Sequence, residues 1–276
     1  MYCFVNTHDG NLNIIQGIEE KKCNLVLSAA ESTHEVLEFY ILGKCVADAW
    51  HQLKTWGLET KLDTNHLFRD LHTAERLVRS FLFEFRTCLD HMETEIKQKY
   101  GKSSDLWRIF HENTSKAYDD CPEYGFTYHF RNCSQHCKNV VHGFCGATGT
   151  KISSNTKKLL EEYDSWKETD KEYMRNCGEN IDLLQTFSKC FSAFNTALIP
   201  VVGYLLNNNG VGNDLMYLRE WGDYLSNCYQ LDVSSFHLAE FEDSENQEDL
   251  NENVKINAFP IDWEMVYELT DSIIQH

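Results

Sequence analysis

Between Tyr128 and Cys137 the chain reads Tyr-His-Phe-Arg-Asn-Cys-Ser-Gln-His-Cys. An arginine, an amide directly after it and a histidine five positions on are the groups that cleaving RNA without a metal requires. The imidazole moves a proton and the guanidinium steadies a charged phosphorane. On a helix, Asn132 and His136 stand at i and i+4 on one face. Arg131 lies about 140° around from His136, within reach of a long side chain bending toward a phosphate held over the ring. The same residues also read as the polar face of an ordinary helix.

More cations lie upstream. Arg69, Arg76, Arg79 and Arg86 fall within about 100° of one another at 3.6 residues per turn. They form either a rail of guanidinium groups along a phosphate backbone or a solvated face paired with Asp70, Glu75 and Glu84. The net charge of −18 argues against a general nucleic-acid binder, because phosphate affinity comes from Lys and Arg. Much of that charge is local, however. Seven acids and no base lie from Glu240 to Glu252, whereas Arg69 to Lys116 carries nine bases against eight acids. An anion site can therefore persist in the neutral stretch.

Zinc is the rival chemistry. Cys133, Cys137, His142 and Cys145 are close in sequence, with Cys121, His129 and His136 nearby. Structural zinc sites use tight Cys-x2-Cys knuckles and none occurs, so buried free thiols are expected and no metal or cofactor is assigned. Asp90 and His91 are adjacent and point about 100° apart. They read as surface polar residues, with His91 or Glu93 a lesser candidate for lining a cleft with His136. No Gly-rich phosphate loop, GxSxG elbow or HExxH is present. Trp107, Trp166, Trp221 and Trp263 read as core.

These residues must be held by helices. With 42% hydrophobic residues and only 3 prolines, the chain has ample core and few breakers, which favours an all-α fold. A first helix is predicted from Ser28 or Ser32 to Gly57. A second, the longest, runs from a cap at Asp63 or Thr64 to Gly101. Its stripe of Leu67, Leu71, Ala74, Val78, Phe81, Leu82, Phe85, Leu89, Met92 and Ile96 makes it a spine roughly 50 Å long. Helices follow at Ser103/Ser104–Tyr118 and Tyr124–Val141. The glycines at 143, 146 and 149 mark a boundary between two helical halves.

Beyond that boundary, Leu159 to Cys177 reads as one amphipathic helix closed by Gly178. Asn180 to Leu206 reads as a core helix kinked at Pro200, too short in its apolar run for a membrane span. Helices at Asp214–Tyr229 and Asp262–Gln275 complete the set. Residues 1–27 are a lead-in in which Ile14-Ile15 and Leu25–Leu27 are candidate strands, and 240–252 is an acidic loop. The first six residues have neither a basic region nor an apolar core. With eleven cysteines in scattered spacing, a reducing cytoplasm is expected.

Arg131-Asn132-x3-His136 resembles the R-x4-6-H motif of HEPN-domain proteins, in which the residue after the arginine is typically Asn, Asp or His. The segment from about 64 to 145 is also similar to a group of bacterial helical proteins. It includes Arg76, Arg86, Leu89-Asp90-His91, Lys99-Tyr100-Gly101 and Phe130 to Cys137. The resemblance implies a HEPN-like bundle over 28–145, followed by a second helical region at 150–239 and a closing helix in 253–276. It implies a homodimer whose motif helices meet in one RNA-cleaving cleft, in phage defence or a toxin–antitoxin pair with a protein antitoxin as partner. His136 would be the general acid/base, Arg131 would hold the phosphate, and Asn132 would orient them. The alternative is a catalytically silent helical interaction module, a regulator using the acidic 240–252 segment to block or mimic nucleic acid.

Overall fold

The structure is a computed structural model that describes residues 2–8, 11–60, 64–145, 151–208, 210–241, 256–259 and 261–274. It is predominantly helical, as the composition predicts. In chain order the elements are β1 (Tyr2–His8), β2 (Asn11–Ile18), α1 (Glu20–Glu59), α2 (Leu67–Lys99), α3 (Asp105–Asp120), α4 (Pro122–His136), β3 (Gly143–Cys145) and β4 (Lys151–Asn155). Then come α5 (Thr156–Glu162), α6 (Glu168–Asn176), β5 (Asn180–Asp182), α7 (Leu183–Asn207), α8 (Val211–Tyr229), β6 (Phe236–Phe241), β7 (Ile256–Phe259) and α9 (Trp263–Ile274).

The chain forms two compact units: residues 41–204, and residues 1–40 with 205–276. The glycine-containing segment after Val141 therefore lies inside the larger unit and is not a boundary. There β3 pairs antiparallel with β4, and β4 pairs antiparallel with β5.

In the larger unit, α2 presents Ala74, Val78, Phe81, Leu82, Phe85, Leu89, Met92 and Ile96 to the core, the predicted stripe without its first turn. Leu67 is exposed there. Phe81 meets Trp50 of α1 and Phe187 of α7 at ring-centre distances of 5.8 and 4.9 Å. Phe85 meets Tyr124 of α4 and Phe194 of α7 at 5.2 and 5.6 Å.

Several predicted boundaries move. The longest helix is α1, at 40 residues against 33 for α2. Gly57 does not stop α1. It is buried within the helix, where an added Cβ would come within 2.6 Å of Leu184. The α2 cap position is His66, without a side-chain cap bond, after a short 3-10 turn at Thr64–His66; Asp63 lies outside the described residues. Gly101 does end α2, with φ +78°.

The predicted Leu159–Cys177 helix is two helices. The chain is non-helical at Tyr163–Lys167, where Trp166 turns inward to donate Nε1–H to the Leu159 carbonyl at 2.9 Å and stack on Phe126. Helix α7 is long and apolar enough to cross a membrane by length and composition. Its Phe187, Cys190 and Phe194 are buried, and Pro200 lies on its exposed side.

The smaller unit holds a four-stranded antiparallel sheet in the order β2-β1-β6-β7. Ile14-Ile15 is strand, whereas Leu25–Leu27 is helical. Glu240 and Phe241 close β6, and the rest of the acidic 240–252 stretch lies outside the described residues. Phe4 packs on Trp221 of α8, and Trp263 of α9 donates to the Phe236 carbonyl at 2.9 Å.

Candidate functional site

Helix α4 carries the motif, and its placement follows from its ends. Pro122 occupies the first turn, where its missing N–H costs nothing. Cys121 both ends α3 and begins α4, so the two helices meet at a one-residue corner. Tyr124, Phe126, Thr127, His129, Phe130, Cys133 and Ser134 are buried. The helix stops at His136, five residues earlier than predicted. The Arg79 guanidinium donates to the carbonyls of Ser134, Cys137 and Lys138, the latter two at 3.1 and 3.2 Å. Glu75 pairs with Arg79 at 2.7 Å and accepts the backbone N–H groups of Val140 and Val141. Arg79 thus satisfies the orphan Ser134 carbonyl of the helix end, and with Glu75 it ties down the chain that leaves it.

The motif residues do not converge within one chain. Arg131 donates Nη1–H to Gln135 Oε1 at 2.7 Å, and its Nε is buried without a hydrogen-bond partner. Asn132 is half-buried and His136 is exposed, its ring 6.0 Å from that of Tyr163 at an interplanar angle of 13°. Among the described residues no hydrogen bond joins Arg131, Asn132 and His136.

The predicted rail divides. Arg69 and Arg76 are exposed. Arg79 is committed to the end of α4. Arg86 binds both oxygens of Asp90 and lies 3.8 Å from the Tyr128 ring centre, so it follows no backbone.

The zinc candidates also part. Cys133 and Cys137 place their sulfurs 3.2 Å apart. His142 spends Nδ1 accepting from the Asn155 N–H at 3.1 Å, and burial with nearby Lys158 lowers its pKa. His129 pairs with Asp170. Among the described residues no group of three or more His, Cys, Asp or Glu could hold a metal.

A cavity of about 350 Å³ opens in the larger unit, and none of the motif residues lines it. Asp90 and Glu93 reach it from α2; Trp107, Phe110, His111, Ser115, Tyr118 and Asp119 come from α3 and its end. Tyr124 and Tyr128 come from α4, and Lys167 from the start of α6. Glu93 thus lines a cleft, though not with His136, and His91 is exposed.

Tyr124 is 1% exposed and its hydroxyl has no hydrogen-bond partner; burial raises its pKa. Lys167 Nζ donates to Tyr118 Oη at 3.1 Å. His111 and Ser115 are within 3.0 Å. Tyr118 and Tyr128 meet the ring of His129 edge-on. That histidine is 2.9 Å from the nearly fully buried Asp170, which also accepts the Lys167 N–H at 3.0 Å.

Sequence reasoning missed this cavity. The available signal was spacing: Asp90/Glu93 at i,i+3, Tyr124/Tyr128 at i,i+4 and Trp107/His111 at i,i+4 each put polar or amphipathic groups on one helix face. No protein-family model matches this chain, and neither does any curated protein or solved structure.

Proposed function

We propose that this chain is a catalytically silent helical binding module with a small-molecule pocket in residues 41–204. The observation that carries this reading is the cavity bounded by α2, α3 and α4. It is concave, aromatic-walled and furnished with a few polar groups, which is the general character of ligand sites of about 300–1,000 Å³. By contrast, Arg131 turns to Gln135, and Arg79 and Arg86 are spent inside the fold.

A second reading, the cytoplasmic HEPN-type endoribonuclease in defence or a toxin–antitoxin pair, is favoured by one observation. His136 stands exposed at the last residue of α4, with Asn132 one turn below it. Such a half-site would need a second copy to bring an arginine to the histidine.

The two readings separate in one assay. Purified protein, His136→Ala and Arg131→Ala are incubated with total RNA and tRNA in EDTA. The module predicts equal inertness of all three. Cleavage by the unsubstituted protein alone, leaving 2′,3′-cyclic phosphate ends, would overturn it in favour of the nuclease.

A further inference from the structure

We infer that the cavity between α2, α3 and α4 is a site for a neutral, planar heteroaromatic ring bearing N–H donors, the chemistry of a purine base or its nucleoside. The inference rests on the binding-module reading and names the ligand class of its pocket.

Three wall rings each already hold a cation. Arg86 lies 3.8 Å from the centre of Tyr128, Lys97 Nζ 4.9 Å from Trp107, and Lys167 Nζ 5.1 Å from Tyr118. Arg86 and Lys97 do not line the cavity although their rings do. Each therefore approaches its ring from outside the lining. A ring face backed by a cation is a poor seat for a second one, because the two charges repel across the ring. It remains a good seat for an uncharged π-system, which stacks on it.

The charge of the wall points the same way. Asp90 is bound at both oxygens by Arg86, and Glu93 pairs with Lys97. The remaining carboxylate, Asp119, shares the cavity with the Lys167 ammonium. Positive and negative groups therefore balance, which selects neither a phosphate nor an ammonium ion.

The acceptors specify the ring's edge. Asp119 has no partner among the described residues, and the second oxygen of Glu93 is not taken by Lys97. Ionised carboxylates only accept, so they seek a ligand edge that donates N–H. Tyr124 adds its ring to the wall, while its hydroxyl is buried from solvent and takes no part in the edge contacts.

Calorimetric titration of the full chain with guanosine tests the inference, with 1-methylguanosine, tetramethylammonium and inorganic phosphate as comparisons. Saturable guanosine binding is expected, with 1-methylguanosine weaker by about tenfold for the lost donor. Asp119→Asn should weaken guanosine by a similar factor. Ser115→Trp, which fills the cavity, should abolish binding without loss of the folded far-ultraviolet spectrum. A guanosine-containing single-stranded oligoribonucleotide, run beside the nucleoside, distinguishes the free base from the same base in a chain; binding of either through the cavity supports the inference. Tetramethylammonium or phosphate binding in preference to guanosine, with loss in Ser115→Trp, would overturn the ligand class and leave the module reading standing. Absence of binding by every probe would overturn the inference, while RNA cleavage is the separate result that overturns the module.

Discussion

Replacing Arg79 with Met keeps an apolar stem and removes the guanidinium. Three backbone carbonyls lose a donor, those of Ser134, Cys137 and Lys138, and Glu75 loses its ion-pair partner. A hydrogen bond to a charged group contributes about 1.5–3 kcal/mol. The Arg79 side chain is 35% exposed, so water replaces part of what is lost, and the expected cost is about 2–4 kcal/mol. For 150–250 residues each kcal/mol moves the thermal midpoint by about 2–4 °C. The midpoint should therefore fall by roughly 4–16 °C in calorimetry of the full chain. Arg76→Met, three residues away and exposed, should stay within about 0.5 kcal/mol. Because Glu75 holds the Val140 and Val141 N–H groups while bound to Arg79, the Glu75→Gln/Arg79→Met cycle should couple by about 0.5–3 kcal/mol. Equal, small effects of Arg76→Met and Arg79→Met would refute the clamp and return Arg79 to the predicted rail.

Two glycine substitutions in α1 should differ in size. Gly43→Ala has open space and should raise stability by about 0.5–1 kcal/mol. Gly57→Ala drives a methyl to 2.6 Å from Leu184 Cδ1, the free end of a half-buried side chain that must swing aside, so it should gain less than Gly43→Ala, measured as paired midpoint shifts. Stability should also fall with acid at His142. Its folded pKa is lowered from 6.5 by burial, so the unfolded chain binds the proton first. The full contribution is present above about pH 6.5 and is lost as the pH falls below it. His142→Asn, which can keep an acceptor for the Asn155 N–H, should flatten that slope in urea titrations at pH 5 to 8. Finally, a thiol reagent should label the exposed Cys228 and Cys45 in the native chain. Cys45 should be the slower of the two, its pKa raised by burial, Glu84 and Asp48. Cys88, Cys133 and Cys190 should label only on unfolding.

What the sequence made legible is local. The α2 stripe repeats every three or four residues, and the structure buries it from Ala74 to Ile96. Ser104 caps α3 by accepting from the Trp107 N–H, and Gly101 ends α2 with positive φ; both signals lie within a few residues of their effect. The break at Tyr163–Lys167 carried no such signal. Trp166 fits the helical period of Leu159 and Tyr173, yet it leaves the helix because Phe126 and the Leu159 carbonyl offer its indole a stacked face and an acceptor. Two of the strands escaped for a related reason. β3 and β5 are three residues each, too short to show alternation, and their pairing with β4 is set by chain neighbours in space.

The candidate site divides along the same line. A helical wheel assigns Arg76 and Arg79 to one face, and it is right about the face. What it cannot contain is the arrival of the α4 terminus, whose carbonyls at positions 134, 137 and 138 are 55 to 59 residues downstream. That arrival turns one arginine into a cap and leaves its neighbour in solvent. Arg131 and His136 differ in the same way: spacing set them at one end of a helix, whereas Gln135 and Tyr163 determined where each side chain went. Helix spacing likewise supplied two of the cavity's ring pairs, Trp107/His111 and Tyr124/Tyr128. It took the one-residue corner at Cys121 to fold α3 back onto α4, so that Tyr118 and Tyr128, ten residues apart in the chain, came to stand 6.0 Å apart, perpendicular, on one wall. A motif of polar residues is thus a statement about faces. Whether a face is spent inside the fold or left to meet a ligand is decided by corners and caps.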